Sequence, residues 1–208
     1  MKKAIPLLFA ILCLLALSGC GSPAVEYDAK PVLYLYPEEE TTVHVQLDYT
    51  GQLTTTYPAY GDGWTVTAHP DGTLTDPATG RNYYCLFWEG ISPVEYDFSE
   101  GFVVPGNETA AFLEEALATL GLTDQEANEF LIYWLPKMEG NPYNLIAFQD
   151  EVYTENAALS ISPTPDTLLR VFMAWKGLEE PVEVPPQVLT STPRTGFTVV
   201  EWGGAEVQ

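Results

Sequence analysis

Apolar and polar positions along this chain change period twice. Val32 to Tyr36 form a continuous apolar run stopped by Pro37. Val43, Val45 and Leu47 alternate with His44, Gln46 and Asp48, and Trp64, Val66 and Ala68 alternate with Thr65, Thr67 and His69. A period of two predicts half-buried strands, and Asp62-Gly63 and Asp71-Gly72 supply turn chemistry between them. Tyr83 to Trp88 is apolar on both faces, as a central strand is. The period then lengthens. Phe112, Leu113, Ala116, Leu117 and Leu120 make one helical stripe, with Asn107 as its cap and Gly121 as its stop. Thr123 and Glu126 spell a capping box for a second helix, whose Phe130, Leu131 and Trp134 face inward and which Pro136 should end. So short a link predicts a helical hairpin. Strands resume at 145–148, 158–161, 168–175, 182–184 and 197–202. The stretch 168–175 also fits helical spacing, but Val171 and Phe172 favour strand. The order predicts an α+β fold of mostly antiparallel β-sheet with an inserted two-helix hairpin. It occupies residues 30–208, with a composition shift near 90–106 where any subdivision would fall.

The first thirty residues follow different rules. Lys2-Lys3 precede an apolar run from Ala4 to Leu17. That length suits a secretory signal and falls short of the roughly 20 residues that span a bilayer. The run ends in Leu17-Ser18-Gly19-Cys20, which resembles the lipobox of bacterial lipoproteins. The resemblance implies a signal peptide over 1–19 and a diacylglyceryl thioether on Cys20, which becomes the new N-terminus. Residues 20–29 then read as a polar tether, and the protein is expected on the cell membrane or outer membrane, facing out of the cytoplasm. The membrane is thus an expected partner, through lipid.

Composition narrows the remaining partners. The chain of 208 residues carries a net charge of −21. Loss of the leader leaves six Lys and Arg against 29 Asp and Glu, hence −23. Nucleic acid, whose affinity rests on cations meeting phosphates, is excluded as a class. Beyond Cys13 in the leader and Cys20, only Cys85 remains, so no disulfide forms within the mature chain.

Reactive constellations are sparse. Cys85 lies in an apolar run, where burial raises a thiol pKa and defeats nucleophilic use. His44 and His69 sit on polar strand faces. No spacing of His, Cys or acids matches a zinc or calcium motif, and no glycine-rich phosphate loop or nucleophile elbow is present. No cofactor or metal is therefore expected. The sharpest chemical idea is a pair of acids, Glu89 after Phe87-Trp88 and Glu201 before Trp202, each on the apolar side of its strand near its end. Two carboxyls in unlike surroundings are the apparatus of glycoside hydrolysis. The structural alternative pairs such an acid with Arg170, which interrupts Leu168-Leu169 and Val171-Phe172. Loop tyrosines offer a binding alternative: Tyr57 and Tyr60 flank Pro58-Ala59, and Tyr143 follows Asn141-Pro142. Exposed rings there would suit a glycan or peptide ligand.

Three stretches, Lys30-Pro31-Val32-Leu33-Tyr34-Leu35-Tyr36-Pro37, Tyr84-Cys85-Leu86-Phe87-Trp88-Glu89-Gly90 and Arg194 to Gly204, together with Asn141-Pro142-Tyr143-Asn144, resemble a family of uncharacterised exported bacterial proteins, many of them lipoproteins. The resemblance implies kinship without an activity. The leading expectation is a lipid-anchored envelope protein that binds or scaffolds, with a surface glycan hydrolase and a purely structural envelope protein as alternatives.

Overall fold

The computed structural model describes residues 26–207. The leader, Cys20 and the first part of the expected tether lie outside them. The described chain is a mixed α/β fold built mostly of antiparallel sheet.

Among the described residues twelve strands form two sheets. The larger has seven strands in the order β3 (Gln52–Tyr57), β7 (Leu86–Ser92), β1 (Glu26–Tyr36), β12 (Thr198–Glu206), β11 (Thr167–Leu178), β9 (Tyr143–Gln149) and β8 (Phe102–Pro105). Only β11 and β12 run parallel in it. The smaller has the order β10 (Ala157–Ser162), β2 (Thr41–Tyr49), β4 (Trp64–Ala68), β5 (Leu74–Thr75) and β6 (Asn82–Tyr83). Helices α1 (Thr109–Leu120) and α2 (Asp124–Met138) cover one face of the large sheet, and the small sheet covers the other. The short α3 (Glu151–Asn156) leads into β10.

Two cores follow from this layering. Val32, Val200 and Trp202 face the helices, against Leu113, Leu117, Phe130 and Trp134. Leu33, Val199 and Trp88 face the small sheet, against Val43, Val45 and Trp64. Strands buried on both faces read as unbroken apolar runs, which is why 32–36 and 197–202 lack alternation.

Several expectations are corrected. The tether does not reach residue 29: Glu26, Tyr27 and Asp28 pair with Ser92, Ile91 and Gly90 within β1. The strand was hidden because its inward residue is Asp28, a fully buried acid held by polar partners rather than by apolar packing. Tyr83 to Trp88 is not one strand. The chain crosses from the small sheet to the large one at Tyr84-Cys85, and hydropathy cannot register a change of sheet. Residues 182–184 are irregular, within a long segment from 179 to 197. Pro181, Pro185 and Pro186 remove the donors a ladder needs there. The segment is fastened by side chains instead. Gln187 both donates to Phe148 O and accepts from Phe148 N at 2.8 Å, as a strand would.

Asn107 lies in a 3-10 turn, Gly106–Glu108, and does not cap α1. Gly121 does end it, at φ 99°. Thr123 and Glu126 form the expected capping box on α2. Pro136 lies inside that helix, which runs on to Met138. The carbonyl it leaves unbonded belongs to Ile132, on the solvent side, where water can serve it. Among the described residues no helix is long and apolar enough to cross a membrane.

Candidate functional site

The three longer stretches that carry the family resemblance include all or most of β1, β7 and β12, which are neighbours at the centre of the large sheet. They meet at an irregularity in β1. Its pairing with β7 steps from Asp28↔Gly90 to Val32↔Phe87, and with β12 from Ala29↔Gly204 to Val32↔Trp202, so one extra residue is inserted. Lys30 takes up the insertion at φ 63°, the left-handed region that a side chain ordinarily avoids at a cost of about 1–2 kcal/mol. Pro31 follows against Gly203, where a methyl group would sit 3.0 Å from the Pro31 backbone. A bulge of this kind bends a strand and re-aims its side chains.

Here it aims Lys30 across the helix-facing side of the sheet. The Lys30 ammonium lies 5.3 Å from the Phe87 ring centre and 5.9 Å from that of Tyr133 on α2. Lys137, one turn further along α2, approaches the same Tyr133 ring at 4.9 Å. The Lys30 backbone N–H donates to Glu89 Oε1 at 3.3 Å, and the Tyr27 hydroxyl donates to Glu89 Oε2 in a short bond. Burial, with that carboxylate beside it, pushes the Tyr27 phenol up to about 12, so it remains a donor. Beside this group lies a cleft of about 260 Å³ lined by Tyr27, Ala29, Tyr133, Trp134, Lys137 and Glu206. Tyr133 is braced edge-on by Trp134, with ring centres 4.9 Å apart.

Glu201 is elsewhere. Strand alternation puts it on the small-sheet face with Phe197 and Val199, whereas Glu89 lies on the helix face with Phe87. The sheet separates the two carboxylates, so they cannot flank one glycosidic bond. Glu201 and Arg170 are instead cross-strand partners in β12 and β11. Arg170 reaches Glu201 Oε2 through Nη2 at 2.6 Å and Nε at 2.7 Å, and Trp88 Nε1 donates to Oε1 at 3.2 Å. The guanidinium also donates to Ala157 O at 2.7 Å and lies 4.6 Å from the Tyr153 ring centre. Burial is the largest single influence on its pKa and lowers it, but the Glu201 carboxylate and Tyr153 beside it together leave it raised.

The three loop tyrosines do not assemble into a surface. Tyr57 is exposed and meets Tyr83 edge-on at 5.4 Å. Tyr60 is tied down, its hydroxyl bonded to Leu47 N at 2.7 Å and Leu47 O at 3.2 Å. Tyr143 begins β9, paired with Pro105 and Leu178 across the sheet. Cys85 is buried, which pushes its thiol up to about 11 despite the opposing Lys30 charge. His44 bonds Thr65 and His69 bonds Thr75. Among the described residues no three His, Cys, Asp or Glu side chains cluster as metal ligands would.

Sequence reasoning passed over Tyr27, Lys30, Tyr133, Lys137 and Glu206. One signal was available: Lys30-Pro31 opens an otherwise apolar strand within a stretch that carries the resemblance. It also passed over the buried acid Asp28 and the ion pair of the capping-box acid Glu126. Asp28, on the opposite face of β1 from the cleft, accepts from Tyr49 at 2.6 Å, Asn156 at 3.3 Å and Tyr96. Burial lifts its pKa to about 6, partly opposed by those bonds. Glu126 pairs with Arg194, which also holds Gly121 O at the end of α1.

Together these features define a two-sheet α/β protein, helix-covered on one face, with an aromatic, charge-balanced cleft at a strained bulge of its central strand. The chain is 43% identical over 95 residues to a Butyrivibrio fibrisolvens protein described as an uncharacterized protein in the bglA 3' region, a match spanning 43% of this chain and 97% of that protein. It belongs to the same family as that protein. No protein-family model and no solved structure matches it.

Proposed function

We propose that this is a lipid-anchored, non-catalytic binding protein of the cell envelope, and that the cleft at the β1 bulge receives its ligand. The observation that carries this reading is Lys30. A side chain held at φ 63° with its amide on Glu89 and its ammonium over two rings is a local strain, and such strain concentrates at functional sites. The cleft also has the usual make-up of a binding site, ring walls with few polar groups.

The anchor enters through geometry. Five residues lie between Cys20 and Glu26, so the span is at most about 20 Å. An acylated Cys20 would therefore hold the start of β1, and the cleft beside it, near the membrane surface. We also read α1 and α2 as an inserted hairpin. Residues 121–123 alone join them, and Ala110 and Leu135 line the two sides of one groove between them.

Two measurements test the proposal. Mass spectrometry of the mature protein should show Cys20 as an acylated N-terminus, and an unmodified N-terminus downstream of it removes the anchor. Glycan and peptide fractions of digested envelope, titrated against detergent-solubilised protein, should change tryptophan fluorescence saturably through Trp134. Charge reversal by Lys137→Glu should abolish the response. Silence from both fractions, or an unaltered response in the variant, would overturn the binding role assigned to the cleft.

A further inference from the structure

We infer that the ligand of the β1 cleft is a neutral saccharide, one ring of which packs on Tyr27 while its hydroxyls bridge Lys137 and Glu206. This rests on the binding reading above and names the class of molecule bound.

Charge decides first. Lys30 and Lys137 stand beside the cleft against Glu89 and Glu206, so the local charge is balanced. A polyanion would meet two carboxylates within the field of a chain carrying −21, and a cation would meet two ammonium groups. A neutral ligand meets neither cost. Hydroxyls both donate and accept, which matches a lining that holds an acceptor carboxylate, Glu206, and a donor ammonium, Lys137. A purely apolar ligand would strip water from both charges with no bond in return.

Shape decides next. A volume of about 260 Å³ lies below the roughly 300–1,000 Å³ of pockets that enclose drug-sized ligands, and suits a single ring. Tyr27 is 42% exposed while its hydroxyl is bonded to Glu89, so the ring is oriented before any ligand arrives. A rigid ring with one polar end offers a face to sugar C–H groups at little entropic cost. A peptide is disfavoured by the strands that border the cleft. β1 is paired on both edges, by β7 and β12, and β12 by β1 and β11, so neither offers a free main-chain edge to an added strand.

The test titrates detergent-solubilised full-length protein with cellohexaose, maltohexaose and chitohexaose. Hexagalacturonic acid, a chitosan hexamer and an uncharged hexapeptide serve as anionic, cationic and peptide counterparts. Saturation-transfer NMR on the sugar ring protons and tryptophan fluorescence report binding. At least one neutral hexamer should bind, and Tyr27→Ala and Lys137→Met should each weaken it about tenfold or more. Glu206→Gln, a change on the exposed surface, should weaken it in the same direction, whereas Tyr57→Ala, which removes an exposed ring elsewhere, should leave it unchanged. Melting curves confirm that each variant is folded. Binding of the acid, the amine or the peptide in place of the neutral hexamers, abolished by Tyr27→Ala, overturns the ligand class and leaves the cleft standing. Neutral-sugar binding untouched by all three cleft variants overturns the cleft as its location. Silence from every neutral hexamer overturns the assignment.

Discussion

Glu201 and Arg170 are the tightest pair of charges between the two sheets, each at most 8% exposed. Arg170 serves Glu201 and Ala157 O, and Trp88 serves the second Glu201 oxygen, while the buried Tyr153 hydroxyl beside them has no partner. A buried pair of this geometry is costly to break and cheap to replace. Removing one partner leaves a desolvated charge, at a cost of about 3–5 kcal/mol, whereas exchanging both for apolar groups is often neutral. Urea unfolding should therefore show Arg170→Ala strongly destabilised and Arg170→Met with Glu201→Leu close to the parent. Equal losses in the two would show that the ion pair itself stabilises the fold. The acid at position 201 was legible as unusual in the sequence, and so was its cation at 170. What the sequence could not supply was the face. Glu89 and Glu201 each looked like an acid on an apolar side, and only the pairing of strands shows those sides to be opposite.

Among the elements, β1 departs furthest from its sequence pattern. Its apolar half, Val32 to Tyr36, was plain, but its first residues, with Tyr27 and Asp28 among them, read as tether up to residue 29. Polar side chains in a strand stay invisible to hydropathy when their partners come from distant elements, as Tyr49, Tyr96 and Asn156 do for Asp28. The bulge is equally hidden, since no glycine marks it. Its backbone makes a clear demand. Lys30→Ile puts a β-branched side chain into the left-handed region, which such residues tolerate worse than Lys, and should lower stability. Lys30→Gly relieves that strain, while its extra freedom in the unfolded chain offsets the gain, so stability should change by about 1 kcal/mol or less. Denaturant midpoints of the two variants check this, and an Ile variant as stable as Lys would refute the strained bulge. Helices α1 and α2 were easier, because the Thr123 capping box and the Gly121 stop are local chemistry.

For the molecule as a whole, pH couples charge to stability. Asp28 has a folded pKa of about 6 against an unfolded value near 3.9. The folded state then holds its proton more tightly, so the stabilisation is complete below the unfolded pKa and is lost as pH rises through about 6. Two pKa units correspond to about 3 kcal/mol at most. Glu26, whose pKa is also raised by burial and by Glu95, acts in the same sense. Thermal melting should show the parent losing stability between pH 4 and pH 7 more steeply than Asp28→Asn. Parallel curves would mean that the buried acid keeps an ordinary pKa. The expected export, acylation and charge all follow from the order and kind of residues, because a leader, a lipobox and a net charge are read without any folding. Strand and helix types followed nearly as well, where one face met the core and left its period in the chain. The cleft did not, since Tyr27, Tyr133, Lys137 and Glu206 come from three elements that only sheet pairing and helix packing bring together. Local chemistry is written along the chain; proximity between distant segments exists only once the strands have found their register.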